Sequence, residues 1–143
     1  QQHPEVTAFI EIKRGGLAIV GEKHAFDTVT RVLENVLDQC ILISFSDEFV
    51  RYASDQSYPR LGIVLKNWGD QNTEAIQSLN PEFIFCNINK IPDGESLDSI
   101  ESITVAYEIE NPESAIEWFD RGADMIETFD IGGMIESLAS RTI

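Results

Sequence analysis

The chain has 143 residues, 43% of them hydrophobic and 24% charged, which is the length and composition of an ordinary globular domain. Its 25 acidic and 10 basic residues leave a net charge of −15. A field of this sign repels nucleic acid and anionic membranes, so we expect neither as a partner. No apolar stretch approaches the length of a membrane span, and we expect one soluble, cytoplasmic domain over residues 1–143.

Short apolar runs rich in β-branched residues recur along the chain and predict six strands. They are Thr7–Lys13, Cys40–Ser46, Leu61–Lys66, Phe83–Ile88, Ile103–Ile109 and Asp124–Phe129. After the first, they start at roughly 20-residue intervals, which leaves room for one helix between successive strands. Cys40 and Cys86 adjoin two of these runs, so we expect buried, reduced thiols and no disulfide.

The segments between the strands carry helical signals. An apolar stripe at three- and four-residue steps predicts a helix packed on the sheet, and it consists of Phe26, Val29, Val32, Leu33, Val36 and Leu37. Capping residues predict the starts of three later helices at Ser46-Asp47-Glu48, Asn72-Thr73-Glu74 and Asn111-Pro112-Glu113. Gly122 predicts the end of the last of these helices. Alternating strands and helices indicate an α/β fold of parallel strands with right-handed crossovers.

Two architectures fit six strand–helix units, namely an open doubly wound sheet and part of a (β/α)8 barrel. A dinucleotide-binding sheet needs a glycine-rich phosphate loop after its first strand, and Arg14-Gly15-Gly16 is too short for one. A receiver-like or flavodoxin-like sheet is a weaker alternative, because no acidic cluster follows that strand. The barrel is therefore favoured, although six units cannot close an eight-stranded barrel.

The first predicted strand carries a carboxylate and an amine two positions apart, at Glu11 and Lys13. Side chains alternate across a strand, so both lie on one face near its carboxyl end. Ionisable groups on a buried strand are costly unless they are used. The pair therefore predicts a site, with Glu11 as a ligand for Mg²⁺ or Ca²⁺ and Lys13 as a phosphate-binding group. An exposed ion pair at a solvated strand edge explains the two residues equally well.

Polar residues at the ends of other predicted strands are weaker candidates. Lys66 is the best of them, because it is one of ten basic residues and it follows an apolar run. Loop turns and helix caps are the better explanation for the others, which are Asn67, Asn87, Asn89, Thr128 and Asp130.

Three segments together resemble the glycerophosphodiester phosphodiesterase family: Glu5–Lys13, Cys40–Phe45 and Gly122–Thr128. In that family one strand ends in Glu-Ile-Lys, a later one ends in Ser-Phe and the last carries a Gly-Ala-Asp pattern, in the order found here. The resemblance implies a distorted TIM-type (β/α)8 barrel, of which this chain looks like the last six βα units. It also implies a metal-dependent phosphodiester hydrolase of lipid metabolism, which cleaves glycerophosphodiesters to glycerol 3-phosphate and an alcohol.

The resemblance also implies roles for individual residues. Glu11 would be a ligand of a divalent cation, Mg²⁺ or Ca²⁺, and Lys13 would be a catalytic residue that binds the phosphodiester. Phe45 matches the phenylalanine of Ser-Phe, and Tyr107 stands where the family has a tryptophan. Both would form an apolar wall near a small-molecule substrate, which we expect Lys66 to contact as well. Plain packing inside the barrel is the other explanation for the two aromatic residues.

Other parts of the family pattern are missing from the 143 residues. The His-Arg-Gly strand, the Glu-x-Asp metal pair and the second histidine are absent, and His3 and His24 lie away from predicted strand ends, so we expect both at the surface. Glu108 and Glu110 replace the usual Thr and Asn, and Phe129 stands where an aspartate is common. We therefore expect an active parent domain but an inactive isolated chain, completed by a second copy or by a missing N-terminal half. The alternative is a non-catalytic binding or structural half-barrel.

Overall fold

The computed structural model of the chain describes His3 and residues 5–140, in which strands alternate with helices. The strands are β1 (Ala8–Glu11), β2 (Cys40–Ser44), β3 (Leu61–Val64), β4 (Phe83–Asn87), β5 (Ile103–Tyr107) and β6 (Met125–Ile126). The α-helices are α1 (Arg14–Leu33), α2 (Asp47–Asp55), α3 (Glu74–Gln77), α4 (Pro112–Asp120) and α5 (Ile131–Ala139). Short 3-10 helices span Leu37–Gln39, Trp68–Asn72 and Ile88–Lys90. All six predicted strands are present, in the order of the chain.

Contacts divide the chain into two units, Gln1–Phe83 and Ile84–Ile143. In the first unit β1, β2 and β3 are parallel neighbours, and Glu11 is paired with Ile43. β1 and β2 both end two residues earlier than the sequence predicts. The reason is that Lys13 and Ser46 already occupy the positions that precede α1 and α2.

The two faces of this first sheet have different neighbours. Ile10 and Ile12 pack against a buried cluster that consists of Leu17, Leu42, Phe49, Ala53 and Tyr58. Side chains alternate along a strand, so Phe9, Glu11 and Lys13 belong to the opposite face. On that face the Phe9 ring meets the Phe83 ring edge to face, with centroids 5.1 Å apart. The predicted alternation of β1 is confirmed.

The first helix begins earlier and ends earlier than predicted. The apolar stripe predicts a helix from Phe26 to Leu37, whereas α1 runs from Arg14 to Leu33. It is interrupted at Gly21, whose φ of 76° and ψ of 163° essentially only glycine adopts. Ile19, before this break, is 85% exposed. It therefore lies outside the apolar stripe from which the helix is predicted. The last predicted residues lie beyond the helix, where the chain turns toward β2.

An ion pair joins the residues that precede β3 and β4. Arg60 donates to both carboxylate oxygens of Glu82, at 3.0 Å from Nε to Oε2 and at 2.5 Å from Nη2 to Oε1. These hydrogen bonds raise the pKa of Arg60. Its guanidinium also lies over the Phe83 ring, 5.6 Å from the centroid. Close by in the chain, the buried Tyr58 hydroxyl donates to the Cys40 carbonyl at 3.1 Å, so the amino ends of these strands are tied by polar contacts.

In the second unit β5 and β6 are parallel, with Val105 paired to Met125. β6 has two residues, so the predicted strand Asp124–Phe129 is too long at both ends. The Asp124 carboxylate accepts hydrogen bonds from Thr104, at 2.8 Å from its N and 2.9 Å from its Oγ1. At the other end Asp130 caps α5. On both sides of β6, side-chain hydrogen bonds of Asp124 and Asp130 therefore replace the strand pairing that the sequence predicts.

α4 begins as predicted. The Asn111 side chain accepts a hydrogen bond from the Ser114 N–H at 2.9 Å, and Pro112 occupies the first helical turn. The end of the helix is also as predicted, since Gly122 has a φ of 89° just beyond it.

The residue before that glycine holds a loop in place. Arg121 donates from Nη2 to the Glu95 carbonyl at 2.8 Å, and its guanidinium stacks on the Trp118 ring at 3.8 Å. The Leu97 N–H donates to the Arg121 carbonyl at 2.8 Å. The segment that leads into β5 is therefore fastened to the end of α4.

Cys40 and Cys86 are buried free thiols, as predicted. Burial raises the pKa of the Cys86 thiol to about 12, which keeps it protonated at neutral pH. Among the helices of the described residues, none combines the length and the apolar character that a membrane crossing requires.

Candidate functional site

The carboxyl end of β1 holds the ion pair that the sequence predicts as a site. Lys13 Nζ donates to Glu11 Oε2 at 2.5 Å. The Lys13 side chain is 74% exposed and the Glu11 side chain is 26% exposed. The other carboxylate oxygen, Glu11 Oε1, is buried and has no hydrogen-bond partner among the described residues. The pair therefore joins an accessible cation to a carboxylate that keeps one oxygen unengaged.

Glu11 fits one ligand position of a divalent cation. Mg²⁺ and Ca²⁺ prefer carboxylate oxygens, and a buried oxygen without a donor is a suitable ligand. Within His3 and residues 5–140, however, no three His, Cys, Asp or Glu side chains come together as a metal site requires. These residues therefore supply one ligand and not a complete coordination shell.

The backbone between the two charged residues is held from both sides. The Ile12 N–H donates to the Ile43 carbonyl at 2.8 Å, and the Ile12 carbonyl accepts a hydrogen bond from the Ser44 hydroxyl at 2.7 Å. The Lys13 carbonyl accepts hydrogen bonds from the first turn of α1. β2 and α1 together therefore determine where Glu11 and Lys13 stand.

A pocket of about 300 Å³ is built by the residues that end and follow β2 and β3. Its apolar lining consists of Phe45, Ile63, Val64, Leu65, Ala75 and Ile76. Its polar lining consists of Asp47, Lys66, Asn67, Asp70 and Thr73. Two of the predicted substrate contacts, Phe45 and Lys66, therefore line the same cavity.

Lys66 has a counter-ion that the sequence does not reveal. Its Nζ lies 3.6 Å from Asp47 Oδ1, and the two side chains are 41% and 31% exposed. From the sequence, Asp47 is predicted only as an acid in the first turn of α2, a position that the helix dipole favours. Its proximity to Lys66 depends on how α2 packs beside the end of β3. In the sequence, the one indication that Asp47 and Lys66 lie close together is that each of them comes near the end of a predicted strand.

Tyr107 ends β5 in the second unit. Burial raises the pKa of its phenol, while a hydrogen bond from Asn87 acts in the opposite direction. The next residue, Glu108, has a φ of 72°, a left-handed conformation that is strained for any residue with a side chain. The left-handed residue therefore follows directly after Tyr107. The Tyr107 phenol keeps its proton at neutral pH. Its role as a substrate contact stays a prediction.

The histidines and most of the polar strand ends have structural positions. His3 and His24 are exposed, as predicted. Asn87 and Asp130 each precede a helix and cap its first turn with their side chains. Asn67 also precedes a helix, and its N–H donates to Asp70 Oδ2 at 2.8 Å. Capping, the favoured explanation, is confirmed for Asn87 and Asp130.

The elements of the chain define an α/β fold of the TIM-barrel type, in which substrate sites lie at the carboxyl ends of parallel strands. A phosphodiesterase of Oleispira antarctica, solved in complex with sn-glycerol-3-phosphate, matches with a TM-score of 0.75 and 15% sequence identity, over 97% of this chain and 57% of that one. A glycerophosphodiester phosphodiesterase of Parabacteroides distasonis matches with a TM-score of 0.68 and 13% identity, over 96% and 59%. No protein-family model and no curated protein sequence matches the chain.

The chain thus has the fold of part of a (β/α)8 barrel, and its structural neighbours include phosphodiesterases of the kind that its sequence resembles. It spans less than two thirds of the length of either neighbour. At 15% and 13% identity the likeness concerns the fold. The prediction of a partial barrel is confirmed.

Proposed function

We propose that the domain is a metal-dependent phosphodiester hydrolase that cleaves glycerophosphodiesters to glycerol 3-phosphate and an alcohol. The observation that carries this proposal is the Glu11–Lys13 pair at the carboxyl end of β1, with an exposed amine bound to a largely buried carboxylate. Barrels of this type place their reacting groups at that end of the strands. The likeness in fold to two phosphodiesterases supports the same function.

Lys13 would supply positive charge to the reacting phosphodiester. A phosphodiester is an anion and repels nucleophiles, so a cation beside its non-bridging oxygens stabilises the charge of the transition state. One N–H of Lys13 is directed at Glu11 Oε2, and the side chain is otherwise open to solvent. An ammonium group has three donors, so Lys13 can bind Glu11 and a phosphoryl oxygen together.

Glu11 would hold one ligand position of Mg²⁺ or Ca²⁺ through its buried Oε1. A divalent cation, when bound, neutralises the phosphoryl oxygens of a substrate. The same carboxylate orients Lys13 through its other oxygen. Glu11 would therefore act on the phosphate in two ways, through the cation that it would help to hold and through the amine that it orients.

The pocket lined by Phe45 and Lys66 would receive a part of the substrate next to the phosphate. Phe45 offers an apolar surface there, and Lys66 offers a second positive charge that Asp47 partly offsets. Tyr107 would provide a further apolar contact. We further propose a cytoplasmic enzyme of lipid metabolism that works as a homo-oligomer or with additional barrel units.

The test compares the full polypeptide encoded by the gene with residues 1–143, in the release of glycerol 3-phosphate from a glycerophosphodiester. We expect metal-dependent activity from the full polypeptide and only background from residues 1–143. Lys13→Met should lower turnover of the full polypeptide by roughly 10²-fold. Lys23→Met is the matched control, because it breaks an exposed ion pair with Asp27 on α1, at 2.6 Å, and should leave turnover unchanged. An inactive full polypeptide, or equal activity of the two variants, would contradict the proposal.

A second candidate function is a non-catalytic binding or structural module on the same framework. It is favoured by one observation, which is that Glu11 and Lys13 already neutralise each other at 2.5 Å. Calorimetric titration of the full polypeptide with glycerol 3-phosphate separates the two candidates. Binding without turnover of any glycerophosphodiester would support the module, whereas turnover would exclude it.

A further inference from the structure

We infer that Ser44 is a positioning residue, whose hydroxyl sets the orientation of the Glu11–Lys13 pair and of Phe45. Ser44 is the last residue of β2 and is 0% exposed. It follows the apolar run Cys40–Ile43, so a hydroxyl at this place in the strand needs a reason. The functional part of this inference rests on the proposed function, and the structural part does not.

The Ser44 hydroxyl makes two hydrogen bonds to the backbone. It donates to the Ile12 carbonyl at 2.7 Å, and it accepts a hydrogen bond from the Ser46 N–H at 3.0 Å. One buried atom thus links the end of β1 to the turn that follows β2.

On the β1 side, this hydrogen bond acts where the strand pairing ends. Glu11 and Ile43 form the last pair between β1 and β2, and the Ile12 N–H donates to the Ile43 carbonyl at 2.8 Å. The Ser44 hydroxyl takes the Ile12 carbonyl, which belongs to the next peptide group. Both peptide planes between Glu11 and Lys13 are therefore fixed by β2. Because these planes set the directions of the two Cα–Cβ bonds, they also set the approach of Lys13 Nζ to Glu11 Oε2.

On the β2 side, the same hydroxyl fixes the residue that lines the pocket. The Ser46 N–H belongs to the peptide group that follows Phe45, so its hydrogen bond to Ser44 sets the direction of the Phe45 side chain. Ser46 in turn caps α2, because its Oγ accepts a hydrogen bond from the Phe49 N–H at 3.2 Å. The buried Ser44 hydroxyl therefore positions both the Glu11–Lys13 ion pair and Phe45, which lines the pocket.

The test replaces Ser44 with Ala in an isotopically labelled chain and follows the NMR signals of Ile12, Lys13 and Phe45. Thr104→Val is the matched control, because Thr104 is also buried, and its hydroxyl lies within hydrogen-bond distance of two acceptors in the second unit, the Gly122 carbonyl at 3.1 Å and Asp124 Oδ2 at 2.9 Å. We expect Ser44→Ala to shift the Ile12 carbonyl and the Lys13 and Phe45 amide signals, and Thr104→Val to leave them in place. Unchanged signals in Ser44→Ala, or the same shifts in Thr104→Val, would overturn the inference. If Ser44→Ala does not fold, Ser44→Cys gives the same test with a weaker donor in a similar volume.

The kinetic arm uses the full polypeptide. A misplaced pair lowers the chemical step more than substrate binding, so Ser44→Ala should lower kcat by about 10- to 100-fold and change KM by less than about threefold. Ser44→Thr, which restores the hydroxyl, should recover most of kcat. A kcat in Ser44→Ala equal to that of the wild type would overturn the positioning role. If the wild type itself has no turnover while the predicted signals still shift, the proposed function fails and the structural assignment of Ser44 stands.

Discussion

Glu11 uses its two carboxylate oxygens differently, and this difference decides what a substitution there would change. Oε2 accepts a hydrogen bond from Lys13, whereas Oε1 is buried without a partner among the described residues. A buried acceptor that lacks a donor costs on the order of 1–3 kcal/mol. Buried polar atoms without a hydrogen-bond partner are typical of positions that bind a ligand rather than stabilise the fold.

Replacing Glu11 with Gln keeps the shape of the side chain and removes its charge. We expect the metal affinity and the turnover of the full polypeptide to fall together, each by about 10-fold or more, since a carboxylate ligand is lost. Folding should be retained, which circular dichroism checks alongside metal titrations of activity. Glu34→Gln is the control, because Glu34 is exposed at the end of α1. Unchanged activity of Glu11→Gln at limiting and at saturating metal would exclude the ligand role.

Tyr58 gives the fold a dependence on alkaline pH. Burial raises the pKa of its phenol from 10.0 to about 12. The folded chain thus holds this proton more tightly than the unfolded chain, so the stabilisation is complete below pH 10 and is lost as the pH rises toward 12. The loss is at most about 2–3 kcal/mol.

Tyr58→Phe should therefore flatten the decline of the free energy of unfolding between about pH 10 and pH 12, although it also removes the hydrogen bond to the Cys40 carbonyl. Urea unfolding at a series of pH values measures this decline. Tyr52→Phe controls for the loss of a hydroxyl as such, because both phenol rings pack edge to face on Phe26. An equally steep decline in wild type and Tyr58→Phe would contradict the prediction.

The sequence predicts the site only as far as local geometry reaches. Strand alternation is enough to place Glu11 and Lys13 on one face, because it depends on neighbouring residues alone. The Asp47–Lys66 distance and the unpartnered oxygen of Glu11 depend on how separate elements pack and on side-chain rotamers. No local pattern encodes either of them.

At the scale of single elements, the end of α4 shows how a glycine permits a close approach. Gly122 has a φ of 89°, and a Cβ there would come within 2.7 Å of the Asp98 backbone nitrogen. That nitrogen belongs to the segment that Arg121 fastens to the helix through the Glu95 carbonyl. The close packing of this loop against the end of α4 therefore requires glycine at position 122, because a larger residue would not fit.

Gly122→Ala should lower the stability of the chain by about 2 kcal/mol or more, since it combines a left-handed backbone with a steric clash. Gly69→Ala is the control, because a Cβ at Gly69 meets no atom within 4 Å. Thermal melts of both variants and of the wild type measure the difference. The prediction fails if the two alanine variants melt at the same temperature.

Element types were predictable, and their ends were less so. Apolar runs and capping residues predict the strands and the start of α4 because these signals are local. β6 is shorter than its apolar run because Asp124 and Asp130 form side-chain hydrogen bonds instead. The early start of α1 was missed because the helix breaks at Gly21 and exposes apolar residues before the break.

At the scale of the whole molecule, the chain carries 25 acidic and 10 basic residues. Repulsion among like charges opposes the compact state, and dissolved salt screens it. We expect the melting temperature at pH 7 to rise by a few degrees when NaCl is raised from about 0.02 M to about 0.5 M. Differential scanning calorimetry tests this, and the salt effect should be much smaller near the pI of 4.3. A melting temperature at pH 7 that falls with salt would contradict the prediction.

The fold class was predictable because the spacing of strands and helices leaves few topologies open. The regular spacing could not by itself separate an open sheet from a barrel. The short segment Arg14-Gly15-Gly16 after the first strand favoured the barrel, and the ordered resemblance of three segments agreed with it. The division of the contacts into two units depends on long-range packing density, which no local signal reports. The prediction of a single domain, like the activity of the whole protein, stays a prediction.

The Arg60–Glu82 pair stands before its strands begin, whereas Lys13 and the pocket stand where strands end. An engineer can therefore search for heat-resistant versions around Arg60 while the residues at the other end of the strands stay as they are. A directed-evolution library that varies the pocket can likewise be confined to Phe45, Asp47 and Lys66 without disturbing that pair. The same holds in evolution, since residues at the carboxyl ends of the strands can be substituted while contacts at the amino ends maintain the fold. Shapes of this kind can therefore outlast the reactions that they first served.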